Sequence, residues 1–346
     1  MQRFLSLLLL PLLCLTAFAQ TSDTERPALY WSAAFNSVFD NREGDATYAQ
    51  AQTFFFAQLA PEVGLTLSGG THRIAAGAVW TQPVTDHFRD ATLTPTLYYR
   101  FGRQGLTFAM GMFAKEMLYR PMPNYIWSDS ANYVQRNVRG AMVSSVGRCG
   151  FFQAMIDWRG LQSDTRREAF NIVAMGEYQK GTSPWLAGGL AMMNHLARTS
   201  NAPEDERVVD NLLYNPYVGV DFRGGVGALD SLGVRVGILG ALCRDRFVGS
   251  WDCPVGLWLD AAASWRWLEL KNTLYAGSSP LYPYFRKFGA LLDQGAPYYA
   301  SSWYNHTTLA ARLIRTRNVS LQASLDLNFA QSNFNFYQRL ILRVTI

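Results

Sequence analysis

Charged residues are scarce in this chain. Asp, Glu, Lys and Arg make up only 16% of its 346 residues, whereas water-soluble domains usually carry about a quarter. Aromatic residues reach 14%, with ten tryptophans. A surface this poor in charge indicates that part of it faces something other than water.

Long hydrophobic runs are missing beyond the first residues. After residue 19, no stretch approaches the roughly eighteen apolar residues of a transmembrane helix. Residues 1–19 contain Arg3, a short apolar run from Phe4 to Leu15, and then Ala17-Phe18-Ala19, an order typical of a secretory signal peptide. We therefore predict export, with 1–19 as a cleaved signal peptide and 20–346 as a single mature domain.

Cysteine is rare and follows no metal-binding pattern. Of the four cysteines, Cys14 lies in the predicted signal peptide and Cys149 has no obvious partner. Cys243 and Cys253 flank a predicted hairpin loop, where they would either form a disulfide in an oxidising compartment or remain thiols. Because no CxxC pair is present, a structural zinc site is not expected, and the sequence indicates no other cofactor.

The chain does contain strict alternation of apolar and polar residues, which is clearest at its end. Every second residue from 319 to 329 is apolar and the residues between are polar: Val319, Leu321, Ala323, Leu325, Leu327 and Phe329 form the apolar row. Because a β-strand directs successive side chains to opposite faces, residues 318–330 and 334–346 are predicted as a hairpin with one apolar face.

The same alternation, interrupted by Gly, Pro, Asn and Asp, continues along the chain. It predicts about sixteen strands, at 28–39, 50–68, 71–82, 91–101, 105–117, 138–146, 150–159, 168–179, 184–197, 212–223, 232–244, 254–265, 267–277, 302–315, 318–330 and 334–346. The predicted connections alternate between tight turns and longer loops.

The two faces of the predicted strands differ in charge. One face is apolar, with residues such as Leu257 and Leu259, and the other face collects the charges, among them Asp157, Glu177 and Asp326. A charge that faces lipid at mid-membrane costs roughly 2 to 4 kcal/mol. We therefore predict that the apolar face contacts membrane hydrocarbon.

Together the signal peptide, the hairpin rhythm and the terminal strand resemble a Gram-negative outer-membrane β-barrel of porin type, and the Phe18-Ala19-Gln20 region resembles exported proteins of the Bacteroidota. The resemblance implies an all-β fold, a closed antiparallel transmembrane barrel of about sixteen strands in the cell outer membrane, with short periplasmic turns and long extracellular loops. Many such barrels end in an aromatic residue, whereas this chain ends in Ile346.

About sixteen strands would enclose an aqueous lumen, which favours a porin-like channel for passive diffusion of small polar or anionic solutes. The alternative is that the luminal charges only pair with their neighbours and stiffen the barrel mouth. The predicted pore and rim residues are Asp157, Arg159, Arg166, Arg167, Glu168, Glu177, Arg312, Arg339 and Arg343.

Two predicted loops are rich in aromatic residues. Leu118 to Asn137 includes Tyr125 and Trp127, and Ser278 to Ser301 includes Tyr284 and Arg286. Solvated loops rarely carry so much apolar area, so at least one loop is expected to fold inward or to pack on its neighbour. These four residues are predicted as a gate over the pore, and a self-packed extracellular lid is the alternative.

The sequence contains no GxSxG, HExxH or Walker motif, and we do not expect an enzyme. A barrel-embedded hydrolase would need a pair based on His195 or His306, and a non-conducting adhesion or assembly barrel is a further alternative. The expected partners are outer-membrane lipid and small solutes. Nucleic acid is not expected because the basic residues are dispersed, and assembly into a homo-oligomer is left open.

Overall fold

The computed structural model describes residues 26–85, 87–222, 224–281 and 287–346. The predicted signal peptide lies outside these residues. Sixteen antiparallel strands form one closed barrel, in which each strand pairs with its neighbours in sequence and β1 pairs with β16. In chain order the strands are β1 (Ala28–Gly44), β2 (Gln52–Leu67), β3 (His72–Pro83), β4 (Thr92–Arg103), β5 (Leu106–Ala114), β6 (Asn137–Gly147), β7 (Gly150–Gly160), β8 (Ala169–Gln179), β9 (Trp185–Leu196), β10 (Val209–Phe222), β11 (Ser231–Asp245), β12 (Val255–Trp265), β13 (Leu268–Gly277), β14 (Trp303–Arg315), β15 (Val319–Ala330) and β16 (Asn333–Thr345).

Helical structure is sparse. One short α-helix, Asp129–Val134, lies between β5 and β6, and its N-terminus is capped by Ser128, whose hydroxyl accepts from the Ala131 amide at 3.2 Å. Single 3₁₀ turns occupy Ser68–Gly70, Phe88–Asp90, Lys115–Met117, Gly289–Leu291 and Pro297–Ala300. Within the described ranges, no helix combines the length and apolar character needed to cross a membrane.

The predicted fold class is confirmed, and all the predicted strands are present with small shifts at their ends. The largest difference is at β1, which continues to Gly44; β5 stops three residues early at Ala114, and β10 starts three residues early at Val209. β1 is longer than predicted because Asp40 and Arg42 face the lumen and form an ion pair there. β5 is shorter because Lys115–Met117 form a 3₁₀ turn.

The strand faces divide as the alternation predicts. Leu257 on the outer face is 52% exposed, whereas Trp258, the next residue, faces the lumen and is 5% exposed. Outward polar groups within the wall satisfy one another: Asn272 donates to Thr307 Oγ1 at 2.8 Å and to Asn305 Oδ1 at 3.3 Å. These outward polar groups are uncharged and hydrogen-bonded to one another.

The centre of the lumen is filled by loop residues. The β5–β6 loop (115–136) and the described part of the β13–β14 loop (278–302) fold into the barrel and pack against its inner wall. Tyr125, Tyr299 and Tyr304 are at most 1% exposed and belong to one core cluster. Sixteen strands leave space that wall side chains cannot fill, and here aromatic loop residues occupy it.

The two adjacent alanines Ala261 and Ala262 provide a matched test of the two faces. We expect Ala261→Arg, on the outer face beside Val234 and Asn272, to lower the free energy of unfolding by about 2 to 4 kcal/mol, because it places a charge against lipid. Ala262→Arg, facing the lumen opposite Lys271, is expected to cost much less. Urea unfolding in lipid vesicles, followed by heat-modifiable migration on gels, measures both; equal losses would contradict the assignment of faces.

Candidate functional site

The β5–β6 loop is anchored deep in the lumen by Arg120. Its guanidinium contacts Glu177 on β8 at 3.2 Å, and its backbone amide donates to Gln153 Oε1 at 3.1 Å. Glu177 also accepts from Arg235 on β11 at 2.8 Å and from Tyr217 at 3.3 Å. Glu177 was predicted as a pore residue, and its role in the structure is to hold a loop across the pore.

Tyr125 lies at the centre of the packed lumen. Its hydroxyl donates to Asn215 Oδ1 at 2.9 Å, and its ring meets Trp258 and Tyr299 edge-on. Trp127 is 3% exposed, with the Lys115 ammonium 3.9 Å from its ring centroid. The prediction that this loop folds inward is confirmed, but both residues form part of a packed plug. Tyr284 and Arg286, the other predicted gate residues, lie outside the described residues.

The β13–β14 loop meets the plug from the opposite wall. Arg159 on β7 donates to the carbonyls of Leu292 and Ala290 at 3.3 and 3.4 Å, and to Asn194 Oδ1 at 3.2 Å. The loops are joined by backbone hydrogen bonds, from Ser128 to the Gln294 carbonyl and from Ala296 to the Asn124 carbonyl, both 2.7 Å. Arg159, predicted at the rim, therefore fastens a loop.

An ion cluster lies where β15, β16 and β1 meet the short helix. Arg339 contacts Asp129 at 2.6 Å, Asp326 at 3.3 Å and Asp40 at 3.5 Å. Arg42 contacts Asp40 at 2.7 Å, and the Tyr133 hydroxyl donates to the same carboxylate at 3.0 Å. Of this cluster only Arg339 was predicted as a rim residue. Asp326 was assigned to the charged strand face, and Asp40 was missed because β1 was predicted to end one residue before it.

Beside this cluster is a cavity of about 230 Å³, which we call the His306 cavity; its lining includes Arg42, Tyr48, Asn124, Ser128, Asp129, Tyr298, His306, Asn328 and Arg339. His306 Nε2 is 3.1 Å from Asp326 Oδ1, and Nδ1 is 3.4 Å from Asn124 Nδ2. We assign the proton to Nε2, which donates to the carboxylate and leaves Nδ1 as an acceptor. Thr308 donates to the same carboxylate oxygen.

The remaining polar groups of the cavity include several hydrogen-bond donors. Two arginines, Arg42 and Arg339, line it together with the carboxylate of Asp129, and both arginines are ion-paired. The Asn328 side chain is 1% exposed, and its Nδ2 donor has no hydrogen-bond partner in the structure. A buried donor without a partner costs free energy, so a ligand oxygen at this position would be stabilised. The cavity therefore combines an oriented imidazole with donors suited to phosphate or carboxylate.

The other predicted rim residues do not form one site. Asp157 is fully buried and accepts from the Arg139 amide at 2.9 Å. Arg167 donates to the carbonyls of Ala197 and Arg207, both at 2.6 Å, whereas Arg166 is exposed in the β7–β8 loop. Arg312 lies near the end of β14, 3.4 Å from Glu269. Arg343 lines a second cavity in the lumen.

The second histidine considered from the sequence is less well placed. His195 faces outward, stacked on Phe170 with ring centroids 4.7 Å apart, and its Nε2 is 3.9 Å from Glu168 Oε2. That separation exceeds a hydrogen bond. Cys243 and Cys253 are both free thiols, so the disulfide alternative is wrong; Cys243 is buried and Cys253 exposed.

The fold resembles solved outer-membrane porins of Pseudomonas aeruginosa. OccK1 (OpdK) aligns with a TM-score of 0.52 at 10% identity, covering 92% of this chain and 98% of that one. OpdL aligns with a TM-score of 0.54 at 10% identity over the same shares. OccK2 (OpdF) in complex with glucuronate gives 0.52 at 10% over 92% and 98%. At this identity the similarity shows the fold alone, and it confirms the predicted porin-type barrel; no curated protein sequence matches the chain.

The structure is thus a porin-type β-barrel with an imidazole–carboxylate pair in its lumen. Residues 21–346 match the model of the lipid A 3'-O-deacylase-type family, and the chain belongs to that family. This membership contradicts the prediction that the protein is not an enzyme. The sequence contains no linear hydrolase motif. His306 and Asp326 lie on adjacent strands and meet only through the β14–β15 pairing. Their shared luminal parity was the signal that could have found them.

Asp293 makes the docking of the β13–β14 loop sensitive to pH. Burial raises the pKa of this loop carboxyl to about 6, although it accepts from the Gly295 amide at 2.9 Å. Because the pKa of Asp293 is higher in the docked loop than in a free carboxyl, the docked loop is most stable below about pH 4, where Asp293 is protonated in both states. This stability is lost as the pH rises through 6. We expect hydrogen exchange of residues 287–302 to be alike in wild type and Asp293→Asn at pH 4. At pH 7.5 the wild type should exchange faster, on the order of a hundredfold for a pKa raised by about two units; a constant ratio would contradict this.

Proposed function

We propose that this protein is an outer-membrane hydrolase that removes an ester-linked acyl chain from a phosphorylated glycolipid of the lipid A class. The observation that carries the proposal is the position of His306, held between Asp326 and Asn124 in a cavity lined by two arginines. The family of the chain supports the reaction type. The usual orientation of such barrels turns the cavity towards the cell exterior, where the outer leaflet lies.

In the proposed reaction His306 acts as the general base. Asp326 fixes the ring through Nε2–H, so Nδ1 is free to take a proton from water once the long contact with Asn124 opens. The hydroxide attacks the ester carbonyl, and the developing oxyanion is stabilised by donors such as Asn328 Nδ2. The imidazolium then protonates the departing sugar alkoxide, and the products are a free fatty acid and a sugar hydroxyl.

The arginines are assigned to binding. Arg42 also donates to Ser130 Oγ at 2.7 Å, and Arg339 is shared among three carboxylates. Both guanidiniums are therefore fixed in direction before a ligand arrives. A phosphate on the glycolipid would meet preorganised donors, which lowers the entropy cost of binding.

The test is mass spectrometry of purified lipid A after incubation with the refolded protein in detergent micelles. We expect loss of one acyl chain with wild type. His306→Gln should lower kcat by about 100-fold or more, which is the usual contribution of a general base, and Asp326→Asn should lower it by a comparable amount because the wrong tautomer becomes accessible.

The matched control is His87→Gln, since His87 is exposed in the β3–β4 loop and far in sequence from the cavity. It should retain wild-type activity. Heat-modifiable migration shows whether each variant is folded. Full activity in a folded His306→Gln variant would overturn the assignment of the base, and an inactive wild type would overturn the reaction.

A second candidate is passage of small anions. The barrel has the fold of porins, and two of the similar structures were solved with small carboxylates, OccK2 with glucuronate and OpdK with vanillate. Basic residues also line both luminal cavities. Because two loops fill the lumen, passage would require the β5–β6 loop to move from its anchor on Glu177.

Single-channel recording in a planar bilayer tests this candidate. We expect rare, brief openings from the wild type and longer, anion-preferring openings from Arg120→Met, which removes the guanidinium contact with Glu177 while keeping an unbranched side chain. Arg317→Met, an exposed change in the β14–β15 turn, is the control and should behave as wild type. Absence of steps from all three folded proteins would exclude the channel.

A further inference from the structure

A second luminal cavity, of about 240 Å³, lies on the far side of the ion cluster, and we call it the Lys115 cavity. Its wall includes Arg343 on β16 and Asn36 on β1, which are paired in register. Arg339, four residues earlier on β16, lines the His306 cavity. The two cavities share no lining residue, so the two spaces are distinct.

The Lys115 cavity has an excess of positive charge. Lys115, Arg136 and Arg343 line it, and the one lining carboxylate is Glu116, 3.4 Å from Arg136 Nε and 55% exposed. The Lys115 ammonium donates to Asn132 Oδ1 at 3.0 Å and lies over the Trp127 ring. Within the described ranges, neither Lys115 nor Arg343 has a carboxylate within ion-pair distance.

Lys115 shows the free-energy cost of burying a positive charge in this cavity. Burial lowers the pKa of its ammonium to about 8. A desolvated cation without an adjacent counter-ion is unfavourable. An anion bound in the cavity would supply that counter-ion, and Arg343, an exposed cation of the same lining, would be a second contact.

Apart from these charged residues and the polar Asn36, Gln58, Asn132 and Tyr133, the lining is apolar. Phe56, Met122 and Trp127 contribute to it, and all three are at most 8% exposed. An inorganic anion would leave this surface facing water or empty space. The volume is below the range of roughly 300 to 1,000 Å³ that is usual for drug-sized ligands, so the ligand should be small.

We propose that the Lys115 cavity binds an amphiphilic monocarboxylate of the medium-chain fatty acid class. The carboxylate contacts Lys115 and Arg343, and the alkyl chain packs on Phe56, Met122 and Trp127. This binding does not depend on hydrolysis in the His306 cavity. The same chemistry would suit a fatty acid released by the protein or one taken from its surroundings.

The test is isothermal titration of the full-length folded protein with sodium octanoate in a neutral maltoside detergent, with a protein-free micelle blank. We expect one saturable site in wild type. Lys115→Met and Arg343→Met should each weaken binding by about tenfold or more, because each removes a charge-assisted contact. Lys271→Met is the matched control: Lys271 is a luminal cation on β13, paired with Glu269, and its loss should leave the affinity unchanged.

Two further ligands separate the possible causes of binding. Acetate should bind at least tenfold more weakly than octanoate, and so should octan-1-ol. Equal binding of acetate would reduce the cavity to a simple anion site, and equal binding of octan-1-ol would reduce it to an apolar crevice; either result overturns the proposal. So does an octanoate affinity that neither cation variant changes in proteins that remain heat-modifiable.

The source of the ligand is tested separately with His306→Gln. If this variant binds added octanoate as wild type does but carries no co-purifying fatty acid, the ligand is the released product. If both proteins carry it, the ligand comes from the surroundings. Failure of hydrolysis with normal octanoate binding would overturn the proposed function alone, whereas failure of binding in an active enzyme would overturn this inference alone.

Discussion

The interior of this barrel depends on the ion pairs of Arg339. Its guanidinium contacts carboxylates from β1, from β15 and from the short helix of the β5–β6 loop. Removing one partner of a buried ion pair leaves an uncompensated charge, which typically costs 3 to 5 kcal/mol. Arg339 thus links the short helix of the loop, Asp326 beside His306, and the first strand of the barrel.

The same lumen explains why a porin fold and a deacylase-type sequence are compatible. In an unobstructed sixteen-stranded barrel the luminal charges would face water. Here two loops exclude much of that water, and the surviving spaces are small and lined by polar groups of fixed direction. Low dielectric strengthens electrostatic interactions in such spaces, and that condition favours chemistry or selective binding over free diffusion.

The wall of the barrel was predictable from the sequence because its cause is local. Alternation along a strand is a property of adjacent residues, and the lipid face tolerates no charge. The faces of Leu257 and Trp258 therefore follow from their positions in the strand, without any knowledge of their partners. The terminal hairpin was predicted within one residue at each end for the same reason.

The site was less predictable because its contacts are long-range. Asp40 and Arg339 are nearly three hundred positions apart in the chain, and Arg120 reaches Glu177 through a loop whose path no periodicity describes. Arg159 illustrates the error that results: its charge and luminal parity were read correctly, but a guanidinium that holds backbone carbonyls looks the same in sequence as one that faces a solute. Only the family match corrected the expectation about catalysis.

The closure of the barrel between β1 and β16 has a consequence for biogenesis. Arg42 and Asp40 come from the first strand, Arg339 from the last, and the two strands meet only when the sheet closes. The loops cannot find their final contacts on that seam before then. A chain in which β1 and β16 have not yet met therefore lacks the contribution of Arg42 to the His306 cavity and the contact between Asp40 and Arg339, so the lining of this cavity is completed only when the barrel closes.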